Sequence, residues 1–312
     1  MTLRDGRTLE YADLGDPAGT PVLFFHGTPG TAGQAAVVAD AARSNGVRLI
    51  APSRPGYGAS TTSPPGLTPV AADTMELADQ LGLDDVVAMG SSGGGPYALA
   101  LGALAPERVS QVFVLGGPGV HAEVTPEELD DADRQAIDLL AAGDAAGAVS
   151  LLMPWAEKFF GPMQGLSDEE FHDAFRETVP PGETWFDDRP DLLPSFEADF
   201  RRAIVTFDGF VRDNLSWLDA WDFDLASVTV PVLLVHGEGD LGAWGVMGDV
   251  VVIRNSHQDL VAGDGVGHDD RPRPPTGQVT EPALVVLLEP AATLTRSEWT
   301  RCVGAVAGGG SG

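Results

Sequence analysis

Short, continuously apolar runs recur through the first part of the chain and again near residue 232, and the segments between them carry apolar positions at helical spacing. Runs of four to eight apolar residues bounded by turn residues suit strands buried on both faces. Val22–Phe25, Arg48–Ala51, Val86–Met89, Val112–Leu115 and Val232–Val235 are therefore predicted as central strands. Thr8–Leu14, preceded by the turn residues Arg4-Asp5-Gly6-Arg7, predicts an opening hairpin. Thr31–Asn45, Pro69–Leu81 and Gly93–Leu104 read as the helices between strands. The alternation is that of βαβ units wound on both faces of a mostly parallel sheet.

That rhythm stops over about residues 118–227, which are acid-rich, helical in pattern and bear most of the aromatic residues. This interval is expected to form a helical cap. Trp155, Phe159, Phe160, Met163, Phe171, Phe175, Trp185, Phe186, Phe200, Phe207, Phe210, Trp217 and Trp221 supply its apolar mass. Aromatics at helical spacing are packing residues first and ligand contacts second. The chain thus divides into an α/β core over 1–117, a cap over 118–227, the rest of the core over 228–270 and a divergent, linker-like tail over 271–312.

Chemistry enters at the end of the strand Val86–Met89, which drives into Gly90-Ser91-Ser92-Gly93-Gly94 and then a helix. Gly-x-Ser-x-Gly between a strand and a helix is the pattern of a nucleophile elbow, which puts Ser92 at the tip of a strained turn. Glycine is demanded two residues to either side, because a side chain there meets neighbouring backbone. Ser91 lacks that flank, since Met89 stands two residues before it. An activated serine needs oxyanion donors, a base and an orienting acid. The Gly93 N–H opens the following helix and suits the oxyanion role. The small-residue turn after Phe25, beginning at His26, suits the presentation of a second N–H. His26 itself is expected to brace that turn by hydrogen bonds.

Four motifs in order, His26-Gly27-Thr28-Pro29-Gly30, Ser53-Arg54-Pro55-Gly56-Tyr57-Gly58-Ala59-Ser60, Gly90-Ser91-Ser92-Gly93-Gly94 and Pro231-Val232-Leu233-Leu234-Val235-His236-Gly237-Glu238-Gly239-Asp240, give the chain its resemblance. It resembles a capped serine hydrolase of the α/β-hydrolase fold, similar to esterases, proline iminopeptidase-like enzymes and epoxide-hydrolase relatives. The resemblance implies a mostly parallel doubly wound sheet with a helical cap inserted after the sixth strand. It implies that Thr28 N–H and Gly93 N–H form the oxyanion hole and that Asp240 is the triad acid. Asp240 also follows an apolar strand at the carboxyl edge, where open parallel sheets place ligands. Arg54 is expected to anchor its loop.

The base should follow the acid in this order of triad residues. His268 comes 28 positions after Asp240 and His257 only 17. A helix and a strand must fit between acid and base in such a fold, which favours His268. The intervening Leu241–Asp249 departs from the family pattern of a Val-Pro turn and an amphipathic helix, being punctuated by glycine. A β-branched patch, Val250–Ile253, follows it. The family's final helix has no counterpart in the proline-rich and glycine-rich tail.

Composition narrows the partners. The 312 residues carry 46 acidic and 18 basic side chains, a formal charge of −28, which opposes binding to nucleic acid or anionic membranes and repels anionic substrates. A neutral, partly apolar small molecule is the expected substrate. The single cysteine, Cys302, allows no intramolecular disulfide and no cysteine zinc site. The histidines lack metal-ligand spacing, and neither a metal nor a cofactor is expected. With no apolar signal segment at the start and no run of about 18 apolar residues, a cytoplasmic protein is expected. The reading that results is a hydrolase of small carboxylic esters or lactones acting through Ser92, His268 and Asp240. The alternatives are a proline iminopeptidase-like peptidase and a hydrolase-fold protein that binds a ligand without turnover. Iminopeptidase-like members usually carry glycine at the position of Thr28 and tryptophan at that of Gly93, so the peptidase is the less favoured.

Overall fold

A computed structural model describes residues 1–117, 131–179, 185–218, 220–237 and 250–255. The chain begins with β1 (Tyr11–Gly15) and β2 (Thr20–Phe25), passes a 3-10 turn at Ala32–Val38, and continues through α1 (Ala39–Ser44) and β3 (Val47–Pro52). Next come α2 (Leu67–Gln80), β4 (Val86–Ser91), a 3-10 turn at Ser92–Gly94, α3 (Gly95–Leu104) and β5 (Val109–Leu115). A set of helices follows: α4 (Asp131–Ala141), α5 (Ala145–Phe160), α6 (Asp168–Thr178), α7 (Trp185–Asp188), α8 (Leu193–Ala203) and α9 (Asp208–Leu218). Two strands, β6 (Val232–Gly237) and β7 (Val250–Asn255), complete the described elements.

The strands form one sheet in the order β1-β3-β2-β4-β5-β6-β7. The interior strands β3, β2, β4, β5 and β6 run parallel, with β1 and β7 antiparallel at the edges. This is the mostly parallel, doubly wound sheet expected from the strand and helix rhythm, in the α/β-hydrolase arrangement that the resemblance implies. Apolar clusters cover both sheet faces. One gathers Leu23, Phe25 and Ile50 with residues of α2 and α3, and the other gathers Val22, Phe24, Leu49, Met89 and Phe113. Each such side chain stabilises the fold by about 1.5–3 kcal/mol when fully buried.

Three local expectations are adjusted. The opening hairpin reduces to a lone antiparallel bridge between Thr2 and Thr8, because the turn at residues 4–7 leaves too few residues before it for a strand. β1 instead pairs with β3, Tyr11 opposite Pro52. Among the described elements the helices of the insertion follow the fifth strand, β5, and not a sixth, because the first arm of the expected hairpin forms no strand. The predicted helix over 31–45 is split into a 3-10 turn and the short α1, since Gly33 and the β-branched Val37-Val38 pair are weak α-helix formers.

Helices α4–α9 lie inside the interval predicted for the cap and bury a cluster of their own, built on Phe160, Phe171, Phe175, Phe200 and Phe210. Ser167 opens α6 with a capping box closed by Glu170. Trp155 and Phe159, one helical turn apart on α5, remain 48% and 56% exposed. Two side chains cross between the layers. Tyr57, from the loop after β3, sits in the helices' cluster, and Trp217 of α9 sits in the cluster on the sheet.

The β-branched patch becomes β7, paired antiparallel to β6 with Val250 opposite Gly237 and Asn255 opposite Val232. A parallel return needs a crossover of a dozen or more residues, usually helical, and the glycine-punctuated 241–249 is poor helix material. The chain consequently leaves β7 at the sheet edge opposite the one where β6 ends. Among the described residues, no helix is long and apolar enough to cross a membrane.

Candidate active site

Ser92 has φ of +49°, the only positive φ of a non-glycine residue among those described. An L-residue held in this region costs about 1–3 kcal/mol, which the surrounding structure must offset. The glycines make the turn possible. A Cβ on Gly90 would lie 2.3 Å from the Gly94 carbonyl oxygen, and one on Gly94 would lie 2.2 Å from the Phe25 carbonyl oxygen. Backbone therefore occupies both positions, as the elbow pattern requires. Ser92 is exposed at the carboxyl end of β4, while Gly93 and Gly94 are buried beside it.

The turn after β2 packs against this elbow. A Cβ on Gly27 would stand 3.5 Å from Ser92 Cβ, and one on Gly93 would meet Thr28 Oγ1 at 2.5 Å and Trp217 Cη2 at 2.7 Å. Thr28, Ser92 and Gly93 are thus brought together, with the Trp217 ring closing over Gly93. Any side chain in place of the Gly93 hydrogen would require Thr28 and Trp217 to move. Asp240, His268 and His257 lie outside the described residues.

His26 is fully buried and both its ring nitrogens are engaged. Nδ1 is 2.8 Å from the Gly27 carbonyl oxygen, and the Arg54 backbone N–H donates to Nε2 at 3.2 Å. A carbonyl can only accept and an N–H can only donate, so the ring is the neutral tautomer protonated at Nδ1. Burial, reinforced by the Arg54 charge, holds its pKa well below the ordinary 6.5. This histidine braces the turn, as expected, and has no free nitrogen with which to act as a base.

Arg54 is the anchor of the region. Its Nη1 donates to the His26 carbonyl at 2.5 Å, and Nη2 donates to the Gly27 carbonyl at 3.2 Å and to Thr28 Oγ1 at 2.9 Å. Nε and Nη2 form a bidentate pair with Asp213 of α9, at 2.8 and 2.6 Å, with side chains 1% and 3% exposed. The same carboxylate accepts from Thr28 Oγ1 at 2.6 Å, Tyr57 OH at 3.0 Å and Tyr97 OH at 2.8 Å. Burial alone would lower the Arg54 pKa, but the Asp213 charge more than reverses this, and the guanidinium is held above its usual range. Burial and then the same negative charge push Tyr57 and Tyr97 well above their ordinary 10.0.

A second contact ties α8 to the loop before the 3-10 turn at 32–38. Asp199 accepts from the Thr31 N–H at 3.0 Å and from the Thr31 hydroxyl. Burial raises its pKa against the lowering effect of those bonds. Arg54 is the loop anchor its motif suggests, whereas its partner Asp213 lies outside all four motifs. The signal was present: Phe210, Asp213 and Trp217 share one helical stripe, and a carboxylate on an apolar stripe needs a buried partner. Among the described residues, no group of three or more His, Cys, Asp or Glu side chains is placed to hold a metal ion.

Comparison with known proteins gives a consistent picture. A family model described as alpha/beta hydrolase fold matches residues 20–148. The chain is 32% identical over 271 residues to a non-heme haloperoxidase of Rhodococcus erythropolis, covering 84% of this chain and 86% of the relative. It is 34% identical over 251 residues to a 2-hydroxy-6-oxo-2,4-heptadienoate hydrolase of Pseudomonas putida, covering 77% and 78%. Its fold matches the crystal structure of the enol-lactonase from Burkholderia xenovorans LB400 with a TM-score of 0.51 and 17% identity, over 76% of this chain and 81% of that one.

Proposed function

The chain belongs to the α/β-hydrolase-fold family, and from that premise we propose that it is a serine hydrolase cleaving a small carboxylic ester or lactone through an acyl-enzyme on Ser92. The observation that carries the proposal is the positive φ of Ser92, held at the end of β4 between two glycines that backbone crowds on both sides. Such strain is retained where a side chain must be presented to a ligand.

In this reading Ser92 Oγ attacks the substrate carbonyl as His268 takes the hydroxyl proton, and Asp240 orients and supports the resulting imidazolium. The N–H groups of Thr28 and Gly93 stabilise the oxyanion, and the proton on His268 passes to the leaving oxygen. Water, activated by the same histidine, then releases the acid. Helices α4–α9 act as the cap over this chemistry, with Trp217 standing against Gly93 beside the serine. The formal charge of −28 favours a neutral substrate. The hydrolase and lactonase relatives carry names that fit a carbonyl substrate.

A second reading, ligand binding without turnover, draws on β7, which leaves the sheet at the edge away from Ser92, so that the chain must cross back before a base can reach the serine. Hydrolysis of p-nitrophenyl esters from acetate to long chains, by wild type, Ser92→Ala and His268→Ala side by side, separates the two. Hydrolysis predicts at least about a 1,000-fold loss of kcat in both variants. A wild type no faster than Ser92→Ala on every ester sinks the proposal.

A further inference from the structure

We propose that Asp213 on α9 is a positioning residue for the oxyanion hole, acting through the Thr28 hydroxyl, so that the helical insertion is part of the catalytic turn as well as its roof. The inference rests on the serine-hydrolase reading above. It starts from the Thr28 hydroxyl, which accepts from Arg54 Nη2 at 2.9 Å and donates to Asp213 Oδ2 at 2.6 Å. Both roles of that hydroxyl are used inside the protein. Its neighbours along the turn are held too, since the carbonyls of His26 and Gly27 both accept from Arg54.

The Thr28 backbone N–H, by contrast, has no hydrogen-bond partner among the described residues, and Thr28 stands against Gly93. A free donor on a turn whose side chain is bonded in place is what a preorganised oxyanion hole requires, because the cost of orienting the donor is met on folding. The group that completes the arrangement comes from 185 residues away in the chain. Asp213 is itself over-determined. It accepts from Arg54 twice, from two tyrosines and from Thr28, so removing the threonine hydroxyl leaves the buried ion pair intact. Thr28 is therefore the place to cut the link without dismantling the anchor.

The test uses Thr28→Val, which keeps the branched shape and removes the hydroxyl, Thr28→Ser, which restores it, and Thr28→Ala as a second removal of the hydroxyl that leaves the Arg54–Asp213 pair in place. Each is compared with wild type for kcat and KM on p-nitrophenyl acetate, for the rate at which a fluorophosphonate probe labels Ser92, and for melting temperature. A displaced donor predicts about a 100-fold fall in kcat and in labelling rate for Thr28→Val. KM should stay within about threefold, the melting temperature within about 4 °C, and Thr28→Ser should recover most of the lost rate. A loss that appears in KM, or one that Thr28→Ser shares in full, reveals packing alone and overturns the proposal. So does a Thr28→Val rate within about threefold of wild type. If Thr28→Val does not fold, Thr28→Ala decides by the same kcat and labelling criteria. Failure of wild type to label at Ser92 overturns the hydrolase reading and this proposal together, whereas normal wild-type labelling with an unaffected Thr28→Val overturns this proposal alone.

Discussion

The elbow at residues 90–94 and the turn at residues 26–30 lie against each other, yet they are held by opposite means. At the elbow the backbone does the work: Gly94 O stands where a Cβ of Gly90 would be, and Phe25 O where a Cβ of Gly94 would be. At the turn the work falls to side chains from distant segments, Arg54 and Asp213 chief among them, which close a polar network around His26 and Thr28. Steric fixing does not depend on solvent or charge. A buried polar network instead depends on its charged members staying paired.

The contrast can be broken most severely at the elbow. Gly94→Ala pushes a methyl group against rigid backbone, and the expected outcome is a loss of several kcal/mol, beyond the about 1–3 kcal/mol of ordinary overpacking, or no folded protein at all. Urea unfolding of the purified variant measures it, and a stability within about 1 kcal/mol of wild type would show that the elbow relaxes as no backbone wall should.

Removing the anchor should cost somewhat less. Arg54→Met leaves the Asp213 charge buried without its partner, for which about 3–5 kcal/mol of destabilisation is expected. Arg54→Met with Asp213→Leu should recover much of this, because replacing a buried ion pair by apolar groups is often close to neutral. A double variant no more stable than the single would mean that the network contributes more than its two charges.

The smallest effect is a dependence on pH that only the turn should show. The folded-state pKa of His26 is depressed by burial and by Arg54, so below 6.5 the unfolded chain binds a proton that the folded chain refuses. Stability is therefore lost as pH falls from the unfolded value toward the depressed folded one, at up to about 1.4 kcal/mol per pH unit. Urea midpoints of wild type and His26→Asn at pH 7.0 and 5.5 isolate this contribution, since the numerous carboxylates are common to both. Parallel changes in the two proteins would mean that His26 is protonated in the folded state.

Much of the fold was legible because its signals are local. The apolar runs at Val22–Phe25, Val86–Met89 and Val232–Val235 fall in three of the sheet's parallel strands, since a strand covered on both faces must be apolar throughout. Ser92 was legible for a similar reason, its Gly-x-Ser-x-Gly pattern being contained in five residues, although the backbone that crowds Gly94 belongs to Phe25 and His26. Less was visible where a partner lies far off. The sequence presents Thr8–Leu14 as one arm of a hairpin, but pairing with β3 prevails because that strand offers a full ladder, Tyr11 to Gly15 against Pro52 to Arg48. Likewise the direction of β7 follows from which connection can close rather than from its own residues.

By itself the sequence determined the order of strands and helices, the strained serine with its flanking glycines, and the interruption by an aromatic-rich helical segment, all of which follow from periodicity and steric rules acting over a few residues. The sequence already pointed to His26 as a brace, and only the tertiary structure decided that both its ring nitrogens are engaged and that Trp217 covers Gly93. It also decided that a carboxylate on α9 holds the hydroxyl of Thr28. Those assignments depend on which groups are brought together when residues from 28 to 185 positions apart are buried in one place, and hydrogen-bond satisfaction is a property of the assembled interior.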